Sequence, residues 1–199
     1  MARLAVFASG TGSNFVALAA ALKASRRHSI EFLLCDVEGA AVLQRAAELE
    51  VPTVITSYKG MDRQAVEKKI VRHLERRGVD MVALAGFMKL LTPWFIDAFK
   101  GPIVNLHPSL LPKYPGAHAI DESFRSADTR LGITVIRVDP GVDTGPVLLQ
   151  KSFARDRGES RAQIETRIHA LEHEWFPQVV IDMLDGLDGT GSAPPGRQA

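Results

Sequence analysis

Cysteine is almost absent from this chain: Cys35 is the only one among 199 residues. A single thiol cannot close an internal disulfide, so the fold must rest on its core, and such cysteine usage fits a reducing compartment. Long apolar runs are missing too. The opening "MARLAVFASG" breaks at a glycine turn before it reaches the length of a signal-peptide core or a bilayer span, and no later apolar run approaches the length needed to cross a bilayer. Nor is there an excess of one charge, since 24 Lys plus Arg face 23 Asp plus Glu for a formal net charge of +1. That balance gives no electrostatic reason to expect nucleic acid. Internal repeats and dividing linkers are also lacking. What remains is a soluble, cytoplasmic protein whose expected partners are small molecules, with no nucleic acid and no membrane. At this length, and with 46% hydrophobic residues, one domain can bury enough apolar surface to fold alone.

What is present is alternation. Short β-like runs at Arg3–Ser9, Ile30–Cys35, Pro52–Thr56, Met81–Gly86 and Pro102–His107 are separated by helical patterns near Asn14–Ser25, Ala40–Glu50 and Asp62–Arg77. In the last of these, Val66, Ile70 and Leu74 recur every four residues while Lys and Arg cover the other faces. Strands alternating with helices of this length imply βαβ units. The expected fold is therefore α/β: an open, mostly parallel, Rossmann-like sheet with helices on both faces. After Pro115 the texture changes. A short helix near Ile120–Ser126 precedes "GITVIRV" and "PVLLQKSFA", read as an antiparallel C-terminal strand pair around "DPGVDTG". A long helix follows from about Arg161 to Leu184, with Pro177 expected to kink or break it. Residues 1–185 are read as the one domain, and the Gly, Pro and polar tail 186–199 as disordered.

"ASGTGSNF" lies between the first strand and the first helix. In a doubly wound sheet that turn presents free N–H groups at a helix N-terminus, which favours phosphate. Gly10 and Gly12 allow close backbone approach, and Ser13 and Asn14 are expected to cap the helix and donate hydrogen bonds. The dinucleotide fingerprint would need glycine where Phe15 stands, so a monophosphate is favoured. The plain alternative is a tight turn with no ligand.

In "VNLHPSLLPKYPGAH", Asn105 and His107 stand at i and i+2 of an extended segment and so point to one side, while Leu106 packs on the other. Pro108 keeps His107 extended. An amide donor beside an imidazole suits a transition state that develops negative charge on oxygen, as in acyl transfer. Asp143, in a loop stiffened by Pro140 and Pro146, is the carboxylate that would hold and charge the histidine. The alternative makes Asn105 a loop cap, His107 a packed residue, and Asp139 and Asp143 ordinary turn residues. Metal and serine-nucleophile chemistry find no standard spacing: His107 and His118 lack a third ligand, and Ser109 has no nucleophile-elbow context. His169 and His173 stand at i, i+4 without the zinc-protease pattern. One edge of that helix is expected to face the cleft, where Glu172 can reach a cationic substrate group.

Taken together, "FASGTGSNF", "VALAGFMKLLTP", "NLHPSLLPKYPGAH", "GVDTGPVLLQ" and "IHALEHEWFP" resemble the folate-dependent phosphoribosylglycinamide formyltransferase family, in order from about Arg3 to Ile181. The resemblance implies transfer of a formyl group from 10-formyltetrahydrofolate, a co-substrate, to the glycinamide amine of a phosphoribosyl substrate in purine synthesis, with no metal. It assigns Asn105, His107 and Asp143 to catalysis. Gly12, Ser13, Asn14, Pro108 and Glu172 fall to the phosphoribosyl substrate. Arg63, Met88, Lys89, Leu90, Leu91, Asn105, Val138, Asp139 and Val142 fall to the folate. Ile120 and Ile136 depart from the polar residues of the family pattern, with altered fine contacts expected and the chemistry retained. A homodimer is the one protein partnership left open.

Three alternatives stay beside this one. A tRNA-directed formyltransferase would carry His-Gly-Ser in place of His107-Pro108-Ser109 and a further C-terminal domain. A formylfolate hydrolase would place a regulatory domain before the first strand, which here begins near Arg3. A non-catalytic Rossmann module would use Asp36 or Glu38 on a ribose and respond to NAD or a mononucleotide but not to folate.

Overall fold

A computed structural model describes residues 1–189. Seven strands form one sheet: β1 (Arg3–Ala8), β2 (Ser29–Cys35), β3 (Thr53–Ile55), β4 (Met81–Leu84), β5 (Ile103–His107), β6 (Arg130–Arg137) and β7 (Val147–Ala154). Their order across the sheet is β3-β2-β1-β4-β5-β6-β7. The first five run parallel, and β5–β6 and β6–β7 are antiparallel pairs. This is the open, mostly parallel sheet with an antiparallel C-terminal pair that the alternation predicts.

Strand periodicity divides the core in two. On β1, Leu4, Val6 and Ala8 join the core beneath α1 (Ser13–Ser25), α2 (Ala41–Glu48) and α6 (Arg161–Leu187). Ala5 and Phe7 face the other way, into a second core with α3 (Arg63–Arg76) and α4 (Pro93–Ala98). A strand buried on both faces must be apolar at nearly every position, and β1 and β4 are. The sheet edges are a three-residue β3 and a half-exposed β7, where unpaired backbone is least hazardous.

Three local features differ from the sequence expectation. Helix α4 is additional; at six residues it is too short for a periodic signal, although Thr92 caps it and Pro93 opens it. Helix α6 neither breaks nor stops at Pro177 but continues to Leu187. Proline removes one backbone donor, while Phe176, Val180, Ile181 and Leu184 are buried on either side of it, so packing outweighs the lost bond. The first residues assigned to the tail are therefore helical, and positions 190–199, where the disordered tail was expected, lie outside the described residues. α5 (Ala119–Arg125) lies close to its expected place.

Candidate active site

The strand order reverses direction between β1 and β4, and ligands in such sheets bind at the carboxyl edge beside that switch. The register fixes what lies there. Leu84 pairs with Asn105, and Asn105 with Ile136, so these three side chains form one row across β4, β5 and β6. The row faces the α3–α4 side of the sheet. Asn105 therefore lies over one face of the sheet, two residues before the carboxyl end of β5. Two loops rise around the row, Ala85–Leu91 after β4 and Asp139–Gly145 between β6 and β7.

Between them is a cavity of about 410 Å³, within the usual span for small-molecule sites. Every residue that the sequence reading assigned to the formyl donor lines it: Arg63, Met88, Lys89, Leu90, Leu91, Asn105, Val138, Asp139 and Val142. So do His107, Pro108 and Asp143. Ile136 is part of the wall, and an apolar side chain in that row leaves Asn105 without a lateral polar partner. Ile120 lies on α5 against the first core, away from the cavity. At the mouth, Met88 and Leu90 are 65% and 57% exposed, so apolar side chains stand uncovered where a flat apolar ligand would cover them.

Asp143 joins the polar residues. Its Oδ1 accepts from Asn105 Nδ2 at 3.2 Å, and its Oδ2 accepts from Gly116 N–H at 2.8 Å. The same Oδ2 lies 3.3 Å from His107 Nδ1. The other ring nitrogen, Nε2, is 2.8 Å from the Tyr114 carbonyl, an acceptor that places a proton on Nε2. Both imidazole nitrogens thus face protein oxygens, and the ring does not aim a separate N–H into the cleft. Asn105 Nδ2 carries a second N–H beside the one given to Asp143, and His107 Nδ1 faces the same carboxylate. Tyr114 and Gly116 escaped the sequence reading. Tyr114 adopts φ 56, in the left-handed region, which the rule for a residue before proline does not anticipate. The Pro115-Gly116 turn was the available signal.

Gly12, Ser13, Asn14 and Glu172 lie outside this cavity lining and form a second group. Gly12, at φ 79, is itself the N-cap of α1, and no side chain caps the helix. Ser13 and Asn14 are thus first-turn residues and not caps, because the left-handed glycine carries the chain into the helix before either side chain reaches the cap position. Asn14 Nδ2 instead donates to Glu172 Oε2 at 3.0 Å, and the Asn14 Oδ1 acceptor is buried with no partner among the described residues. Glu172, nearly buried on α6, also receives His169 Nδ1 at 2.7 Å. That hydrogen bond raises the His169 pKa, and burial lowers that of His173. Among the described residues no three His, Cys, Asp or Glu side chains are grouped to hold a metal ion.

The arrangement can hold a flat ligand in the cavity and an anion at the α1 terminus. Two N–H donors, on Asn105 and His107, stand beside Asp143 on the cavity wall. The family described as formyl transferase matches residues 2–180. The chain is 41% identical to phosphoribosylglycinamide formyltransferase of Bacillus subtilis (strain 168) over 193 residues, covering 96% of this chain and 98% of that protein. It is 32% identical to the protein of that name in Escherichia coli (strain K12) over 208 residues, covering 98% of each. Among solved structures, glycinamide ribonucleotide transformylase 1 from Geobacillus kaustophilus superposes with a TM-score of 0.85 at 44% identity, over 90% of this chain and 97% of that one.

Proposed function

The chain belongs to the formyl transferase family, and from that premise we propose that Asn105, His107 and Asp143 move a formyl group from 10-formyltetrahydrofolate to the glycinamide amine of 5'-phosphoribosylglycinamide. The enzyme class and the purine-biosynthetic reaction are those of the relatives it matches nearly end to end. The residue roles and the folate donor are our reading of the site. One observation carries it: a single carboxylate holds an amide and an imidazole side by side on the wall of a cavity with an apolar mouth.

In this reading the folate lies along Met88–Leu91 and the β6–β7 loop, with Arg63 at the rim. The phosphate of the acceptor rests on the N-terminus of α1, where Ser13 and Asn14 contribute first-turn N–H groups. Glu172 and the unpartnered Asn14 oxygen offer acceptors to the donor groups of the same substrate. The amine lone pair forms a C–N bond to the formyl carbon, and the carbonyl electrons move onto its oxygen. Asn105 Nδ2–H and His107 Nδ1–H meet that oxyanion, and one such donor is typically worth about 3–4 kcal/mol of barrier. The bond to the folate nitrogen then breaks, and the proton lost by the amine passes to that nitrogen, with His107 or water as carrier. Asp143 keeps both donors turned toward the reacting oxygen.

The fold brings no helix long and apolar enough to cross a membrane among the described residues, in keeping with a cytoplasmic location in this proposal. A homodimer remains compatible with it.

Acceptor dependence tests the function. The formyl donor should be consumed at a substantial rate only when glycinamide ribonucleotide is present, with formylated product appearing mole for mole. Donor consumption that is equally fast without the acceptor would make the enzyme a hydrolase.

A further inference from the structure

The loop after β4 carries the exposed apolar side chains of the cavity mouth, yet it belongs to no strand or helix between Ala85 and Thr92. Its position is set from outside the cavity, at both ends, by buried polar side chains. At the first end Ser9, from the close of β1, makes three bonds. Its N–H donates to the Gly86 carbonyl at 3.1 Å, its Oγ accepts from Met88 N–H at 2.9 Å, and the same hydroxyl donates to Asp36 Oδ1. Asp36, just past β2, also faces Lys89 Nζ at 3.7 Å. At the second end Glu67 of α3 accepts from Thr92 N–H at 3.0 Å and from the Thr92 hydroxyl. Thr92 in turn accepts from Phe95 N–H as the cap of α4.

These groups are costly to place. Glu67 is 0% exposed, and Ser9 and Asp36 are each 9% exposed. A buried carboxylate is weak evidence for stability, because apolar residues of similar volume usually serve as well. None of Ser9, Asp36 and Glu67 lines the cavity, so none is placed to touch a ligand there. What they share is the backbone of one loop, held at Met88 and at Thr92.

We infer that Ser9 with Asp36, and Glu67, are positioning residues that clamp the two ends of the Met88–Thr92 segment and thereby set the affinity for the formyl donor. The inference rests on the reading of this cavity as the folate side. A loop fixed before the ligand arrives has no ordering cost left to charge against binding. Releasing either end returns that cost to the ligand in the cavity and leaves the phosphate group at α1 untouched.

The test uses Ser9→Ala, which removes the Met88 acceptor, and Glu67→Met, which keeps the buried volume and removes both Thr92 acceptors. Glu67→Gln, which restores an acceptor for Thr92 N–H, serves as the conservative rescue. Calorimetry would measure the Kd of 5,8-dideazafolate, a donor analogue with no formyl group to transfer, and separately the Kd of glycinamide ribonucleotide. Each clamp variant is expected to bind the folate analogue about tenfold more weakly, on the scale of one buried hydrogen bond. Glycinamide ribonucleotide binding should stay unchanged and Glu67→Gln should regain most of the folate affinity. Amide exchange at Met88 and Thr92 should speed up in step. Equal losses for both ligands, or folate affinity that stays at the wild-type value, would overturn the clamp. A wild-type protein that binds glycinamide ribonucleotide but no folate would overturn the reading of the cavity itself, an outcome distinct from variants that match a folate-binding wild type.

Discussion

Asp143→Ala is expected to lower kcat by about two to three orders of magnitude, the scale of losing one preorganised oxyanion donor, while leaving the protein folded. The carboxylate holds Asn105 Nδ2, faces His107 Nδ1, and accepts from Gly116 N–H. It therefore fixes the two donors and also ties the turn after β5 to the β6–β7 loop. Without it the amide is free to rotate, and the Nδ1 side of the ring loses its partner. Asp143 sits in a loop at φ 53, a left-handed backbone that aspartate tolerates better than alanine, so the substitution should also cost about 1 kcal/mol of stability, too little to unfold the protein. Asp143→Asn tolerates the same backbone and keeps an acceptor for Asn105, so its loss should fall between wild type and alanine. Steady-state rates beside circular dichroism would decide the matter. A folded Asp143→Ala enzyme with kcat within threefold of wild type would remove Asp143 from the chemistry.

Gly12→Ala should damage the other end of the cleft. Gly12 has φ 79, and a Cβ there would come 2.3 Å from Val42 Cγ2 and 2.7 Å from Val42 Cβ. The left-handed backbone costs a non-glycine residue about 1–2 kcal/mol, and forcing the overlap with α2 adds about 1–3 kcal/mol more. For a chain of this size the sum, about 2–5 kcal/mol, corresponds to a Tm lower by about 4–20 °C. The turn also sets where the first N–H groups of α1 point, so KM for the phosphate-bearing substrate should rise about tenfold, the effect of misplacing one charge-assisted contact. KM for the folate should hold. Gly10→Ala is the control, since a Cβ there meets nothing within 4 Å. If both variants behaved alike in Tm and KM, the steric account of this turn would be wrong.

The architecture could be read from the chain because each central strand repeats the same simple demand. Parallel strands buried on two faces must be apolar throughout, and β1 and β4 announce themselves that way. Helix α3 was equally plain from Val66, Ile70 and Leu74 with charge elsewhere. Helix α4 was not, because six residues hold too few turns for periodicity and only the Thr92-Pro93 start signals it. Asn105 and His107 could be paired from a spacing of two, a consequence of the pleat alone. Their connection to Asp143 was a matter of residue type, since no local rule folds a loop 38 positions later over the same sheet face. The Tyr114 carbonyl that fixes His107, and the Ser9, Asp36 and Glu67 contacts beneath the cavity loop, lay further out of reach. They depend on backbone atoms and on burial, neither of which leaves a mark in residue order. The helix cap went wrong for a related reason: Ser13 and Asn14 have the chemistry of caps, but the left-handed Gly12 occupies that place.

The most direct test of the central claim follows a single turnover of formyl transfer from 10-formyl-5,8-dideazafolate to glycinamide ribonucleotide, by absorbance, in wild type and in Asn105→Ala. The wild-type enzyme should complete the transfer, and the variant should bind both substrates yet transfer at least about 100-fold more slowly, the loss expected for one oxyanion donor. A variant that binds both substrates and transfers at the wild-type rate would contradict the assignment of the β5 amide to the reacting oxygen.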